Sequence, residues 1–268
     1  MSEFLQRLWG TSEENRSRIV LALDLSTDLA TVNELDRDKS REELVEAALR
    51  VIEETHEHVA AIKINRQLVL PLGLFDRLQR IIKAAKSFKL PLIVDCKIND
   101  VGHTNLWIAQ HYFAAGFDAV IANPFVGWEG GLESVFELAR GKGKGVILLV
   151  YMSHPASGEG YGQTVYDPNS GLKTFQYLIF AEKAAKWEAD GVVCGATFPE
   201  KIRDVRNALG DEIPIFSPGI GPQGGSMKEA FDAGTSFAII GRSIYQAEEP
   251  RQTVLSFKES INQFLKDR

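Results

Sequence analysis

Short apolar runs rich in Val, Ile and Leu recur along the chain at 19–23, 59–64, 92–94, 119–122, 146–150, 191–194, 213–216 and 237–240. Each is nearly continuous rather than alternating, which predicts strands of a parallel sheet covered on both faces. Between them, apolar positions fall at helical spacing. Leu44, Ala47, Ala48, Val51 and Ile52 share one face, as do Phe75, Leu78, Ile81, Ile82 and Ala85. Ser40 with Glu43, and Ser226 with Glu229, have capping-box spacing and predict helix starts at those points. Eight strand–helix units in 268 residues match the roughly 250 residues of a (β/α)8 barrel. No Ser/Pro-rich linker or change of composition divides the chain, so we expect an α/β protein with a single TIM-barrel domain over residues 1–268.

Two connections exceed what a barrel needs. Residues 25–40 are polar and acidic and read as a solvated excursion. Residues 152–172, with Gly158, Gly160, Gly162, Pro168 and Gly171, follow the C-terminal end of a strand. In a barrel that is the catalytic face, and a glycine-rich loop there is a candidate lid.

Composition narrows the function classes. The chain is 44% hydrophobic and 25% charged, and 30 basic against 36 acidic residues leave a formal charge of -6. That balance, with no long basic run, speaks against a nucleic-acid surface, which needs clustered Lys and Arg to displace phosphate counterions. It leaves room for an anion in a locally positive pocket. No apolar run reaches the roughly 18 residues that cross a bilayer, and Glu3 and Arg7 interrupt the first ten residues, so neither membrane insertion nor export is expected. Two cysteines, Cys96 and Cys194, make no disulfide framework, and we expect a cytoplasmic protein.

Charge is concentrated at the predicted strand ends. Asp95 and Lys97 leave the run at 92–94 with one residue between them, so strand alternation puts both on the same side and Cys96 on the other. An isolated Asp-x-Lys is often a structural ion pair. Here, however, Lys63 stands amid apolar neighbours on the preceding strand, and Asp24 ends the first. Three successive strands thus deliver charge to their C-terminal ends, as an active site requires.

After the predicted strand 213–216, the segment 217–226 carries Gly219, Gly221 and Gly224, with Pro222 among them, and opens a helix. A dinucleotide fingerprint belongs on the first βαβ unit with an acidic residue about 20 positions on, and neither condition holds here. The better match is a barrel phosphate site, with backbone N–H groups exposed by glycine, a helix start near Ser226, and Arg242 as a bidentate fork. Met152-Ser153-His154-Pro155 opens the long loop. Ser153 lacks a triad or nucleophile elbow, so its hydroxyl is expected to bond a ligand rather than attack one. His56 and His58 read as a solvated helix end, His103 and His111 as surface residues, and Trp9, Trp107, Trp128 and Trp187 as packing. A divalent cation on Asp24, Asp95 and Asp100, with a sugar phosphate, stays open.

Taken together, Lys63, Asp95-x-Lys97-x-x-Asp100-Val101-x-x-Thr104, Met152-Ser153-His154-Pro155, Pro218-Gly219-x-x-x-Gln223-Gly224-Gly225 and Gly241-Arg242-Ser243-Ile244-Tyr245 resemble the orotidine 5'-phosphate decarboxylase family. Asp-x-Lys-x-x-Asp alone is shared with 3-keto-L-gulonate-6-phosphate decarboxylase and hexulose-phosphate synthase; the Ser153 segment and Gln223 separate the chain from those. Val101, in place of the usual isoleucine, and Gly102-His103, in place of the commoner Pro-Asn, depart from the family pattern. The resemblance implies a homodimeric barrel, without metal or organic cofactor, that converts orotidine 5'-monophosphate (OMP) to UMP and carbon dioxide, the last step of UMP biosynthesis. It implies a charged array of Lys63, Asp95 and Lys97, completed by Asp100 from the partner subunit. It further implies ribose contacts from Asp24, Lys63 and, across the interface, Thr104, and a pyrimidine edge on Ser153. Pro218 would pack near the ring, Gln223 would bridge pyrimidine and phosphate, and Gly241 and Arg242 would hold the phosphate. Two alternatives are a magnesium-dependent sugar-phosphate decarboxylase or aldolase of the same superfamily, and a non-catalytic barrel that binds a phosphate ligand.

Overall fold

The computed structural model describes residues 1–167, 170–221 and 223–266; Pro168 and Pro222 lie outside them. In chain order the elements are α1 (Glu3–Glu14), β1 (Ile19–Leu23), α2 (Glu34–Thr55), β2 (Ala61–Asn65), α3 (Arg66–Leu72), α4 (Leu78–Ser87), β3 (Leu92–Ile98), α5 (Gly102–Ala115), β4 (Ala119–Ala122), α6 (Glu133–Gly141) and β5 (Gly145–Tyr151). They continue through β6 (Thr164–Tyr166), β7 (Lys173–Phe175), α7 (Gln176–Lys186), β8 (Gly191–Cys194), α8 (Pro199–Leu209), β9 (Ile215–Pro218), α9 (Met227–Ala233), β10 (Phe237–Ile240), α10 (Arg242–Tyr245) and α11 (Pro250–Lys266). The parallel strands close in the order β1-β10-β9-β8-β5-β4-β3-β2, the eight-stranded barrel that the apolar runs predict. Every residue of β1 and β5 is buried, as continuous apolar strands require when helices cover one face and the barrel interior the other.

The N-terminal end of the barrel is covered by α1, a helix the apolar runs did not reveal. Phe4 is 1% exposed and lies on Gly145 at the start of β5, where an added Cβ would stand 2.3 Å from the ring. Arg7 bonds Asp118 at 2.8 Å, and Trp9 packs on Phe237 at 4.8 Å.

Several expected boundaries move. The first long connection is largely helix: α2 starts at Glu34 with Asn33 as its cap, accepting the Asp36 N–H at 3.0 Å, so Ser40 lies inside the helix rather than at its start. Its early turns face solvent and pair ionically with α4 and the preceding turn, as in Arg77–Asp38 at 3.2 Å. They therefore show no apolar period. Leu44, Ala48, Val51 and Ile52 are buried as expected. Phe75 leaves the buried stripe of α4, being 61% exposed on an irregular turn before the helix. Ser226 does cap α9, accepting from the Glu229 N–H at 3.3 Å.

The loop after β5 is shaped rather than free. A short 3-10 turn (Pro155–Glu159) and the antiparallel hairpin β6–β7 fill it, and Tyr161, 8% exposed, pins it through a hydrogen bond from Asn123 at 3.3 Å. Trp128 and Trp187 pack together at 5.3 Å, whereas Trp107 is 51% exposed on α5. His56 stacks on Phe88 at 3.8 Å, and both ring nitrogens of His58 are buried without a hydrogen-bond partner among the described residues, so this pair is less solvated than its polar context suggests.

Candidate active site

At the C-terminal ends of the strands lies a cavity of about 590 Å³. Asp24, Lys63, Asp95, Lys97, Ser153, Pro218, Gln223, Gly241 and Arg242, all singled out from the sequence, line it. Lys63 and Asp95 come from within β2 and β3, Asp24 and Gly241 directly follow β1 and β10, and Ser153 and Gln223 stand in the loops after β5 and β9, all on the catalytic face of a closed barrel.

The charged groups form an alternating chain. Lys63 Nζ donates to Asp24 Oδ1 and to Asp95 Oδ2, each at 3.1 Å, and Lys97 Nζ donates to Asp95 Oδ1 at 2.6 Å. Lys63 is 3% exposed and Asp95 9%. Burial alone pulls the Lys63 ammonium down, but Asp95 and Asp24 outweigh it and hold its pKa above the ordinary value. Burial likewise pushes Asp95 up, and Lys63 with Lys97 reverses that, holding it below the ordinary carboxylate range. Both stay charged because each supplies the partner the other needs.

β3 continues through Ile98, past the apolar run that marks it in sequence, and a register shift interrupts its pairing with β4 between Val94 and Ile98. Lys97 sits in that bulge with φ of +46°, a left-handed conformation uncommon for lysine. Bulges re-aim side chains beside active sites, and this one turns Lys97 onto Asp95. Cys96 faces away, with its thiol toward the Ile121 carbonyl at 3.6 Å, and burial beside Asp95 pushes its pKa up to about 12.

At the opposite wall the loops after β5 and β9 meet: Ser153 Oγ donates to Gln223 Oε1 at 2.9 Å. Gly219, with φ of +99°, permits this, since a Cβ there would stand 2.9 Å from both Gln223 Oε1 and Ser153 Cβ. Arg242 is exposed at the rim and has no carboxylate partner among the described residues. Two carboxylates and two ammoniums balance in the array, so Arg242 leaves this mouth positive in an acidic chain.

Other residues join the site, of which the sequence had marked only Tyr245, and that without a role. Ile121, Leu149, Val193 and Ile239 form an apolar floor beneath the array, but in sequence they look like any buried strand residue. Gln67 and Tyr245 both donate to the Asp24 carbonyl, Tyr245 at 3.3 Å, and Thr197 donates to the Ser153 carbonyl at 2.8 Å. Bonds to main-chain carbonyls leave no sequence signature.

Asp100 and Thr104 lie apart. Asp100 is exposed, with its carboxylate accepting from the Val101 N–H at 2.7 Å, and it borders a different cavity, while Thr104 is half-buried on α5. The trio of Asp24, Asp95 and Asp100 considered for a divalent cation is therefore not gathered in this chain, and Lys63 lies between the first two. Among the described residues, no group of three or more His, Cys, Asp and Glu is arranged to hold a metal ion.

Comparison with known proteins gives the family. Residues 17–257 match the model of the orotidine 5'-phosphate decarboxylase / HUMPS family. The orotidine 5'-phosphate decarboxylase of Methanosarcina barkeri is 36% identical over 248 residues, covering 92% of this chain and 96% of that protein. That of Pyrococcus abyssi is 36% identical over 243 residues, covering 91% and 98%. The crystal structure of the Methanocaldococcus jannaschii orotidine 5'-monophosphate decarboxylase, in complex with the inhibitor BMP, superposes with a TM-score of 0.72 at 28% identity, covering 92% of this chain and 99% of that one.

Proposed function

This chain belongs to the orotidine 5'-phosphate decarboxylase / HUMPS family, and from that premise we infer that the mouth of its barrel converts OMP to UMP and carbon dioxide in pyrimidine biosynthesis. The observation that carries the reading is the Asp24–Lys63–Asp95–Lys97 chain lining the cavity.

The chemistry asks for such an array. When the C6–carboxylate bond breaks, carbon dioxide leaves and the electron pair stays on C6, where the pyrimidine ring offers it little delocalisation. Stabilisation then falls to fixed charges in a site shielded from water. Lys97 stands ready to give an Nζ proton to C6, after which its neutral amine regains a proton from solvent. Asp95 faces the departing carboxylate, and the apolar floor of Ile121, Leu149 and Val193 suits neutral carbon dioxide better than the anion it came from. Asp24 and Lys63 are placed for the ribose hydroxyls. Ser153 and Gln223 are placed for the pyrimidine edge, with Gln223 reaching on toward the phosphate, and Pro218 for the ring. Gly241 and Arg242 suit the phosphate, since a guanidinium offers a bidentate fork to its oxygens. Binding energy from that remote phosphate helps align the array.

Asp100 and Thr104 fit this scheme as contributions to a neighbouring subunit. Both lie outside the chain's own cavity, beside an exposed apolar face of Val101, Trp107 and Phe75 that a second copy would cover. We therefore take the active unit as a homodimer of single-domain chains in the cytoplasm, where the buried thiols of Cys96 and Cys194 would remain reduced. Among the described residues no helix is long and apolar enough to cross a membrane.

Replacement of the proton donor tests the assignment. Lys97→Ala is expected to lower kcat by at least about a thousandfold, within the range for general acid catalysis, while UMP still binds by calorimetry. Near-normal turnover would overturn it.

A further inference from the structure

Asp100 has little of its own to hold it. Its carboxylate is exposed and, among the described residues, accepts only from the adjacent Val101 N–H at 2.7 Å. What fixes the residue is Asn105, one turn into α5 and 0% exposed. Asn105 Oδ1 accepts from the Asp100 N–H at 2.9 Å, and its Nδ2 donates back to the Asp100 carbonyl. The same Nδ2 donates to the Gly131 carbonyl at 3.0 Å, so one side chain ties both sides of the Asp100 peptide to the loop after β4. The same region closes on the segment twice more: Ser134 Oγ, in the first turn of α6, donates to the Gly102 carbonyl at 3.0 Å, and a Cβ on Gly102 would stand 3.1 Å from the Gly130 carbonyl in the loop.

Only an amide of this reach meets the demand. Asparagine has two donor hydrogens and an acceptor on one short stem, and all are matched here in a site that excludes water. Aspartate lacks the donors, leucine lacks both, and either leaves buried main-chain groups unpaired. A fully buried polar clamp on an otherwise exposed acidic residue is more anchoring than α5 needs for its own packing, since the helix already buries Ala109, Phe113 and Ala115.

We propose that Asn105 is a positioning residue for the reaction: it sets the Asp100 peptide so that the carboxylate reaches the partner subunit's cavity. The assignment rests on the reading that Asp100 acts across the dimer. It predicts that an Asn105 defect appears in the neighbour's site rather than in its own.

Subunit mixing reads this directly. Asn105→Ala should lower kcat by ten- to a hundredfold, the range expected when a reacting group is misplaced by about 1 Å. Mixed with inactive Lys97→Ala, it should regain one intact site per heterodimer, combining its own Lys97 with the undisturbed Asp100 loop of its partner. Mixed with Asp100→Ala it should regain none, because both sites then face a damaged loop. Wild-type kcat in Asn105→Ala, or recovery with Asp100→Ala rather than Lys97→Ala, overturns the proposal. If Lys97→Ala and Asp100→Ala themselves fail to restore activity after confirmed subunit exchange, the shared site is what fails. Should Asn105→Ala not fold, Ser134→Ala removes one tie and is expected to show the same pattern more weakly; full activity in it, with no mixing effect, counts against the clamp.

Discussion

A lysine that is 3% exposed inside a barrel stays charged only because Asp24 and Asp95 reach it, and their coupling sets a pH window. Asp95 titrates below its ordinary 3.8, so its contribution to stability is complete above that value and is lost as pH falls through the lowered one. Lys63 titrates above its ordinary 10.5, so its contribution is complete below 10.5 and is lost as pH rises through the raised value. Asp95→Asn should therefore cost roughly 3–5 kcal/mol, as expected when one partner of a buried ion pair is removed. In urea titrations the deficit should hold from about pH 5 to about pH 9 and shrink below about pH 4; a deficit that vanishes near neutrality would contradict the array as described. These charges were legible in the sequence because Lys63 and Asp95 interrupt apolar runs. The left-handed backbone of Lys97 was not, since a bulge depends on how β3 pairs with β4 rather than on the residue itself.

At the scale of elements, the strands were legible where apolar residues continue and illegible where function intervenes. β3 reads as ending at Val94 because Asp95 and Lys97 look like a departure from the strand, yet pairing resumes at Ile98 with Ala122. α2 hides its first turns because ion pairs, not apolar contacts, occupy them. The glycine-rich loop after β9, read from the sequence as a candidate phosphate site, borders the cavity through Gly219 and Gln223, and its tightness gives a test. A Cβ on Gly225 would stand 2.6 Å from the Gly219 carbonyl and 3.0 Å from the Ala196 carbonyl carbon, both main-chain atoms that can yield only by moving the loop. Gly225→Ala is expected to raise KM for OMP roughly tenfold, equivalent to about 1.4 kcal/mol, while kcat changes less and the barrel melts within a few degrees of the wild type. An unchanged KM would show that this loop does not shape the site.

Over the whole molecule, closure of the barrel brings Asp24 near the N-terminus and Arg242 near the C-terminus to one cavity. The formal charge of -6 says little about this cavity, because Lys63, Lys97 and Arg242 make its local charge differ from that of the whole chain. Asp100 and Thr104, which do not line this cavity, are the two residues that the sequence resemblance assigned to a second subunit. The most direct test of the central claim follows OMP by absorbance with the wild-type protein, in the presence and absence of EDTA, and measures UMP and carbon dioxide as products. The account predicts equimolar conversion at the same rate in both. Activity that disappears with EDTA would favour a metal-dependent relative, and UMP binding without any loss of OMP would reduce the protein to a binding barrel; either result contradicts the account.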